Sequence, residues 1–552
     1  MTWSTALPDW EKRLVERRSI IPPPIYPERA EEALAIFKEL RVPDLPGQPT
    51  FGECSEQWVF DFVAAIFGAY DAETGNQLIR EFYLLISKKN TKSTIAAGIM
   101  LTATILCWRQ EEEHLILAPT KEVADNSFKP AAAMVRADPE LLDLFHVQDH
   151  VRTITHRVSR SLLKVVAADT DTVSGKKAGK VLVDEHWLFG KRANAEAMFM
   201  EALGGQVSRD EGWVIFLTTQ SDEPPAGVFR DKLQYFRDVR DGKILDPRSL
   251  GVLYEYPSAM VASKAYMDPA NFYITNPNLG RSVNVAWLED QLRKTLAKDN
   301  KSGALQQFLA KHLNVEIGLN LRSDRWAGAD FWAARGQKLT LEELLQRSEV
   351  VEIGIDGGGL DDLLGLTVIG RDAKTGEWLV WCRAYAHVSV LERRKSEASL
   401  LLDLQREGSL ILCEEYGEDV QLVAAVVDQC ERSELLDKIG VDQAGLGGIV
   451  DAITEVGIDI ARIVGISQGW RLTSAIKTAE RKLSEGMLTH EGSRMMAWCV
   501  GNAKVVQVGN AISITKQASG TGKIDPLMST FNAIELMSRN PAGQRSFWDK
   551  DE

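Results

Sequence analysis

The stretch LLISKKNTKST, residues 84–94, runs from an apolar strand through a polar loop into the apolar helix STIAAGIMLTATILCW. Strand, loop and helix in that order aim loop amides and a helix N-terminus at one point, which is what a phosphate needs. In this register Lys92 reaches the β and γ phosphates of a nucleotide and the Ser93 hydroxyl ligates Mg²⁺, with Thr94 in the same helical turn. The regular pattern G-x-x-x-x-G-K-[ST] has glycine where this chain has Ile86 and Thr91. Read by itself, the segment is as consistent with a basic surface turn.

Two later strands strengthen the nucleotide reading. KVLVDEHW, residues 180–187, ends a buried strand on the adjacent carboxylates Asp184 and Glu185, at the sheet edge where α/β proteins bind ligands. There Asp184 would hold Mg²⁺ and Glu185 would polarise the attacking water, since phosphoryl transfer is mostly positioning and charge stabilisation. WVIFLTTQS, residues 213–221, ends on Thr218, Thr219, Gln220 and Ser221, polar groups placed to sense a γ-phosphate. An isolated acidic or threonine-rich strand end is ordinary; the order of all three carries the reading. His186, beside the acids, is expected to be simply hydrogen-bonded.

Outward from this core, HLILAPT (114–120) adds another strand, and strands alternating with helices imply a parallel α/β sheet. Residues 1–56 hold Pro-rich punctuation and read as an N-terminal arm before a core at 57–225. Residues 226–347 turn helical and polar and read as a linker subdomain, in which FRDKLQYFRDVRDGK is a solvated helical face. A second strand series begins at VVEIGIDGGG (350–359), so a mixed-sheet domain is expected at 348–540, with a tail at 541–552.

Composition bounds the rest. At 552 residues, 45% hydrophobic and 26% charged, the chain is long enough for two large globular domains. Its six cysteines include no C-x-x-C pair, which argues against a zinc site of usual spacing and for a reducing compartment. The N-terminus lacks a signal-type apolar core and no apolar run reaches membrane-span length, so a cytosolic protein with no membrane partner is expected. A net charge of −14 weighs against tight static binding to nucleic acid, but not against a transient contact through one basic channel.

The second half carries its own acids. Asp356 stands at the tip of VEIGID, and Asp361 and Asp362 open the next strand. A carboxylate at a central strand end is the usual first ligand of an RNase H-like nuclease, whose chemistry clamps two divalent ions, Mg²⁺ or Mn²⁺, with oxygen ligands. Asp442 ends a short strand before a Gly-rich turn, and Asp525 precedes Pro526 at a helix start, where a plain N-cap is the competing reading. Glu414 and Glu415 are alternatives to Asp442.

In this order the segments SKKNTKST, ILAPTKEVADNSF, KVLVDEHW and LTTQS resemble the ATPase half of the large terminase subunits of tailed phages, and the likeness extends over about residues 57–540. Such P-loops lack regular glycines and often open on a basic residue, which makes Lys88 and Lys89 phosphate-side partners. Asn90, Thr91, Lys92 and Ser93 stand where the family often reads Asn-Gly-Lys-Ser, and Gln57-Trp58 where it has an adenine-side motif. The resemblance implies an α/β protein with a P-loop ATPase domain followed by an RNase H-like nuclease domain. It assigns Asp356, Asp442 and Asp525 as the metal triad, with Lys516 and Lys523 beside the third acid, and Thr218, Thr219 and Gln220 as the coupling segment. It further implies a motor that uses ATP and Mg²⁺ on double-stranded DNA, docks in the host cytoplasm on the portal protein of a procapsid as a pentameric ring, and takes its cutting site from a small terminase subunit. A helicase-nuclease of repair type, and a DNA-binding scaffold without ATPase activity, are the competing readings.

Overall fold

The computed structural model describes residues 3–167, 178–192, 194–297, 304–317, 326–359, 361–395, 397–442, 447–509, 511–515 and 523–543. The chain divides into two compact units, the first running to Ile317 and the second following it.

The first unit is built on an eight-stranded sheet. After a two-residue ribbon, β1 (Tyr70–Asp71) and β2 (Asn76–Gln77), the strands are β3 (Glu81–Leu85), β4 (Glu113–Ala118), β5 (Phe145–Gln148), β6 (Thr153–His156), β7 (Leu162–Ala167), β8 (Ala178–Val183), β9 (Trp213–Thr218) and β10 (Ser249–Leu253). Their order is β10-β3-β9-β8-β4-β7-β6-β5, parallel throughout except where β6 meets its two neighbours. β9 is buried at every position, as expected of a central parallel strand covered on both faces. It lies between β3 and β8, with Thr218 opposite Leu85 and Phe216 opposite Val183. The three segments singled out in the sequence therefore leave the sheet side by side at the same edge.

The linker segment expected at 226–347 also contains β10, which pairs with β3 from Glu81 to Leu85. The N-terminal arm lies on the same unit: Arg240 stacks 3.7 Å over the Trp10 ring, whose indole N–H bonds Asp241 at 3.1 Å.

The second unit holds β11 (Ser348–Gly357), β12 (Leu364–Asp372), β13 (Trp378–His387), β14 (Leu410–Cys413), β15 (Leu436–Asp442), β16 (Ile463–Ile466) and β17 (Leu488–His490) in one sheet. A separate hairpin joins β18 (Lys504–Val508) to β19 (Ala511–Thr515). The path β14-β13-β12-β11-β15-β16 has β11, β12 and β13 antiparallel and β15 and β16 parallel to β11, the mixed order of an RNase H-like sheet. The helix Asp525–Met537 lies on β11 and β12, burying Leu527, Phe531 and Ile534, each worth roughly 1.5–3 kcal/mol of transfer. Glycine permits that approach: a Cβ at Gly365 would stand 2.7 Å from Pro526 Cα, and one at Gly354 would strike the Ser529 carbonyl. Among the described residues, no helix is long and apolar enough to cross a membrane.

Candidate functional site

The loop after β3 contains left-handed Lys89 (φ 73°) and Thr91 (φ 58°), a conformation costing a non-glycine residue about 1–2 kcal/mol. Thr91 occupies the position where the regular motif has glycine. Asn90 compensates by organising the loop from inside: its side chain donates to the Ser87 carbonyl at 3.1 Å and to Asn276 Oδ1 at 2.9 Å, and accepts the Asn278 amide at 3.0 Å. Asn278 also donates to the Asn90 carbonyl and to Thr91 Oγ1, both at 3.1 Å. Lys88 is half-buried and Lys89 exposed, with Ser282 Oγ bonded to the Lys89 carbonyl at 2.7 Å.

From this loop the helix Lys92–Ile105 brings its first turn to the end of β8. Lys92 Nζ is 2.5 Å from Glu185 Oε1, and Ser93 Oγ donates to Asp184 Oδ2 at 3.2 Å. Ser127 Oγ donates to the same Asp184 oxygen at 2.8 Å, and the Glu185 amide bonds Asp184 Oδ1 at 2.9 Å. Trp187 closes the group, its indole N–H on Glu185 Oε2 at 2.7 Å and its amide on Thr218 Oγ1 at 3.0 Å. Thr94 is half-buried on the same helical turn.

Burial opposes every charge here. It raises Asp184 above the usual carboxylate range despite Lys92 and Ser127. It would raise Glu185 too, but Lys92 outweighs it and holds that carboxyl low, while Glu185 and Asp184 together keep the buried Lys92 amine above its ordinary value. Lys92 and Glu185 thus hold each other charged. Thr218, Thr219 and Gln220 are fully buried at the end of β9. His186 is buried as well, its Nδ1 3.2 Å from the Tyr83 hydroxyl amid Phe189, Phe199, Phe216 and Phe229, so it is core.

In the second unit Ile355 pairs with Val441, so Asp356 and Asp442 follow at adjoining strand ends. Asp356 opposes Gly365, on which the backbone of Asp525 and Pro526 rests, and a Cβ at Gly357 would stand 3.0 Å from that of Asp525. Asp356 and Asp525 are 9% and 5% exposed, so both carboxylates are buried at these tips. Asp525 is the first helical residue rather than the cap: Ile524 holds the N-cap position and no side chain caps it. Among the described residues, no three His, Cys, Asp or Glu side chains gather closely enough to hold a metal ion. The three strand and helix tips do converge, and their oxygen donors suit hard divalent cations. Glu414 and Glu415 follow β14, three strands from β11 or roughly 14 Å at the usual strand spacing. Lys523 is buried, its amine held by the Asp362 carboxylate and the Asp361 carbonyl, while Arg394 grips both Asp361 oxygens at 2.9 Å. Lys516 lies outside the described residues.

Residues 58–238 match the family model "Terminase large subunit, ATPase domain", and residues 252–540 match "Terminase large subunit, endonuclease domain". The chain belongs to the terminase large subunit family. It is an ATPase and an endonuclease of phage DNA packaging, using nucleotide and divalent metal, and the repair-type and inactive-scaffold readings fall. Protein YmfN of Escherichia coli K12 is 20% identical over 351 residues, covering 61% of this chain and 74% of that one. Among solved structures, the HK97 bacteriophage large terminase is 20% identical, with 92% of this chain and 99% of that one covered at a TM-score of 0.46. The large terminase of a thermophilic bacteriophage, in complex with ADP, is 12% identical, with 83% and 94% covered at a TM-score of 0.31.

Several residues of this terminase's nucleotide site escaped sequence reasoning. Asn276 and Asn278 hold the loop from about 190 positions away, and NPNLGRS gave no sign of it beyond its turn composition. Ser127 and Trp187 lie inside the segments ILAPTKEVADNSF and KVLVDEHW but gave no signal of their own. Gln57 bonds Asp61 on its own helix at 2.8 Å, whereas its neighbour Trp58 reaches Asn278 Oδ1 at 2.7 Å and so supports the loop indirectly.

Proposed function

We propose that this large terminase subunit pumps double-stranded DNA into a procapsid as a pentameric ring on the portal protein, in the host cytoplasm, with a small terminase subunit selecting the site of cutting. The observation that carries the ATPase half of this reading is the adjoining contact pair Lys92–Glu185 and Ser93–Asp184. In it Lys92 takes the β and γ phosphates, helped by Lys88, Lys89 and the amides of Asn90 and Thr91. Ser93 and Asp184 would hold Mg²⁺, which neutralises phosphate charge when bound. Glu185, oriented by Trp187, accepts the proton of the attacking water. Thr94 supports the phosphate turn, Gln57 lies on the adenine side, and Thr218, Thr219 and Gln220 answer to the γ-phosphate.

In the nuclease half Asp356, Asp442 and Asp525 would hold two divalent ions, Mg²⁺ or Mn²⁺, a pair that activates water and stabilises the leaving oxygen when bound. The helix of Asp525, seated on Gly365, fixes the distance between two of the three acids.

A packaging assay with portal-bearing procapsids tests both halves. Wild-type protein with ATP renders DNA resistant to added nuclease, Lys92→Ala protects none yet still cuts plasmid, and Asp356→Asn hydrolyses ATP without cutting. Wild-type hydrolysis by Lys92→Ala would remove the nucleotide assignment. Failure to bind portal-bearing procapsids under conditions of active hydrolysis would remove the docking arrangement.

A further inference from the structure

Lys311, near the end of the helix Ala304–Leu313, is only 3% exposed and is engaged in three directions. Its carbonyl accepts the amide of Lys88 in the phosphate loop at 2.7 Å. Its Nζ donates to the Gln220 carbonyl at 2.8 Å and stands 2.9 Å from the centre of the Trp187 ring. Trp187 in turn holds Glu185 and Thr218. One buried lysine therefore touches the phosphate loop, the strand end after β9, and the indole that orients the acid.

Gln220 makes this meeting point unusual. It is fully buried, its amide bonds Asn314 Oδ1 at 3.2 Å, and neither polar atom of its side chain has a partner among the described residues. A buried amide left unpaired is costly, so the strand end gains by any movement that offers it partners.

Lys92 is the counter-ion of Glu185, and the phosphates of ATP demand the same ammonium. Once Lys92 turns to them, Glu185 keeps Trp187 and the charge of Lys311, which already acts on it. The geometry points to Lys311 as a positioning residue that exchanges the Gln220 carbonyl for Glu185 when Lys92 moves to the phosphates, releasing the strand end. Burial lowers the Lys311 amine to about 7, with Asp222 and Glu185 acting to raise it and Lys88 and Lys191 to lower it further. An amine so balanced is fixed in its charged form by the loss of Glu185's other cation. The inference rests on the assignment of Lys92 and Glu185 to ATP.

Two measurements on the full chain test it. In the first, hydrogen exchange of wild-type protein is followed with and without a saturating non-hydrolysable ATP analogue and Mg²⁺. Exchange across residues 218–221 should rise at least threefold with the analogue, and should not rise in Lys92→Ala. In the second, Lys311→Met should lower the DNA-stimulated kcat at least tenfold with KM for ATP within threefold, and Lys311→Arg should restore part of it. A merely structural lysine predicts the opposite split, with nucleotide binding lost alongside turnover. Unchanged exchange in the wild type overturns the inference even if the Lys311 variants do not fold, as does a Lys311→Met protein with normal DNA stimulation. Normal hydrolysis by Lys92→Ala would overturn the ATP assignment as well, which separates the two failures.

Discussion

Lys92 Nζ and Glu185 Oε1 stand 2.5 Å apart, so the lysine assigned to phosphate is also the counter-ion of the acid assigned to water. Both side chains are about nine-tenths buried, at 10% and 12% exposure. Each depends on the other for its charge, and this makes the pair a stability element as well as the centre of the proposed nucleotide site.

Removing one partner of a buried ion pair typically costs about 3–5 kcal/mol, because the other charge is left without compensation. Lys92→Ala should therefore destabilise the first unit by that order in urea unfolding. Lys92→Ala combined with Glu185→Gln should recover most of the loss, since the orphaned charge is gone. Additive losses in the double variant would show that the two side chains do not act as a pair.

The nuclease unit should lose stability as pH rises through neutrality. Glu352 on β11 is 1% exposed; burial first, and then Asp437, push its carboxyl up to about 8, against the pull of the Lys438 amide. An acid whose folded pKa lies above its unfolded value, about 4.3, keeps a proton that the unfolded chain has released, so stability falls between about pH 4.3 and 8. Glu352→Gln keeps an acceptor for the Lys438 amide and removes the titration. Its melting temperature should exceed that of the wild type at pH 8 and approach it at pH 5. An equal pH slope in both proteins would exclude Glu352 as the cause.

Both sheets were legible because their central strands are largely apolar runs ending in chemistry-bearing residues: Asp184 after KVLV, Asp356 after VEIGI. The strands that escaped include β5 to β7, β10, β16 and β17, which are short, partly polar or embedded in helical sequence. SLGVL at β10 has no strand-specific signal until β3 is there to pair with it. The loop was half legible. Lys92 and Ser93 follow from register, but the acceptance of Thr91 in place of glycine depends on Asn90 and Asn278, a contact between residues 188 positions apart. Asp525 drew two readings because Asp before Pro starts helices everywhere. Only the fold brings it over Gly357 and Gly365.

That seating makes Gly365 a test of the nuclease centre. A Cβ there would press on backbone atoms, Pro526 N at 2.8 Å and Asp525 C at 2.9 Å, which cannot turn aside as a flexible side chain would. Gly365→Ala should shift the helix, cost about 1–3 kcal/mol as overpacking does, and reduce plasmid cleavage at least tenfold. ATP hydrolysis should stay at the wild-type level, because every group of the nucleotide site lies in the other unit. Unimpaired cleavage by a destabilised Gly365→Ala protein would mean that the position of Asp525 is not critical.

Asp525→Asn carries that question to the carboxylate itself. A capping aspartate predicts little change, because Asn caps a helix about as well as Asp. Here Ile524 is the cap residue and makes no side-chain capping bond, so a capping role for Asp525 does not arise and the substitution should leave the helix intact. A divalent cation shared by these acids would bind only the folded protein, which should therefore melt higher when Mn²⁺ is added. Asp525→Asn should shrink the rise with Mn²⁺ and abolish plasmid cleavage while sparing ATP hydrolysis. Asp356→Asn and Asp442→Asn should show the same abolition. Normal cutting by Asp525→Asn in Mn²⁺ would dismiss it as a ligand. Asp361 and Asp362 would then be the next acids to test, although Arg394 and Lys523 already neutralise them and would have to let go first.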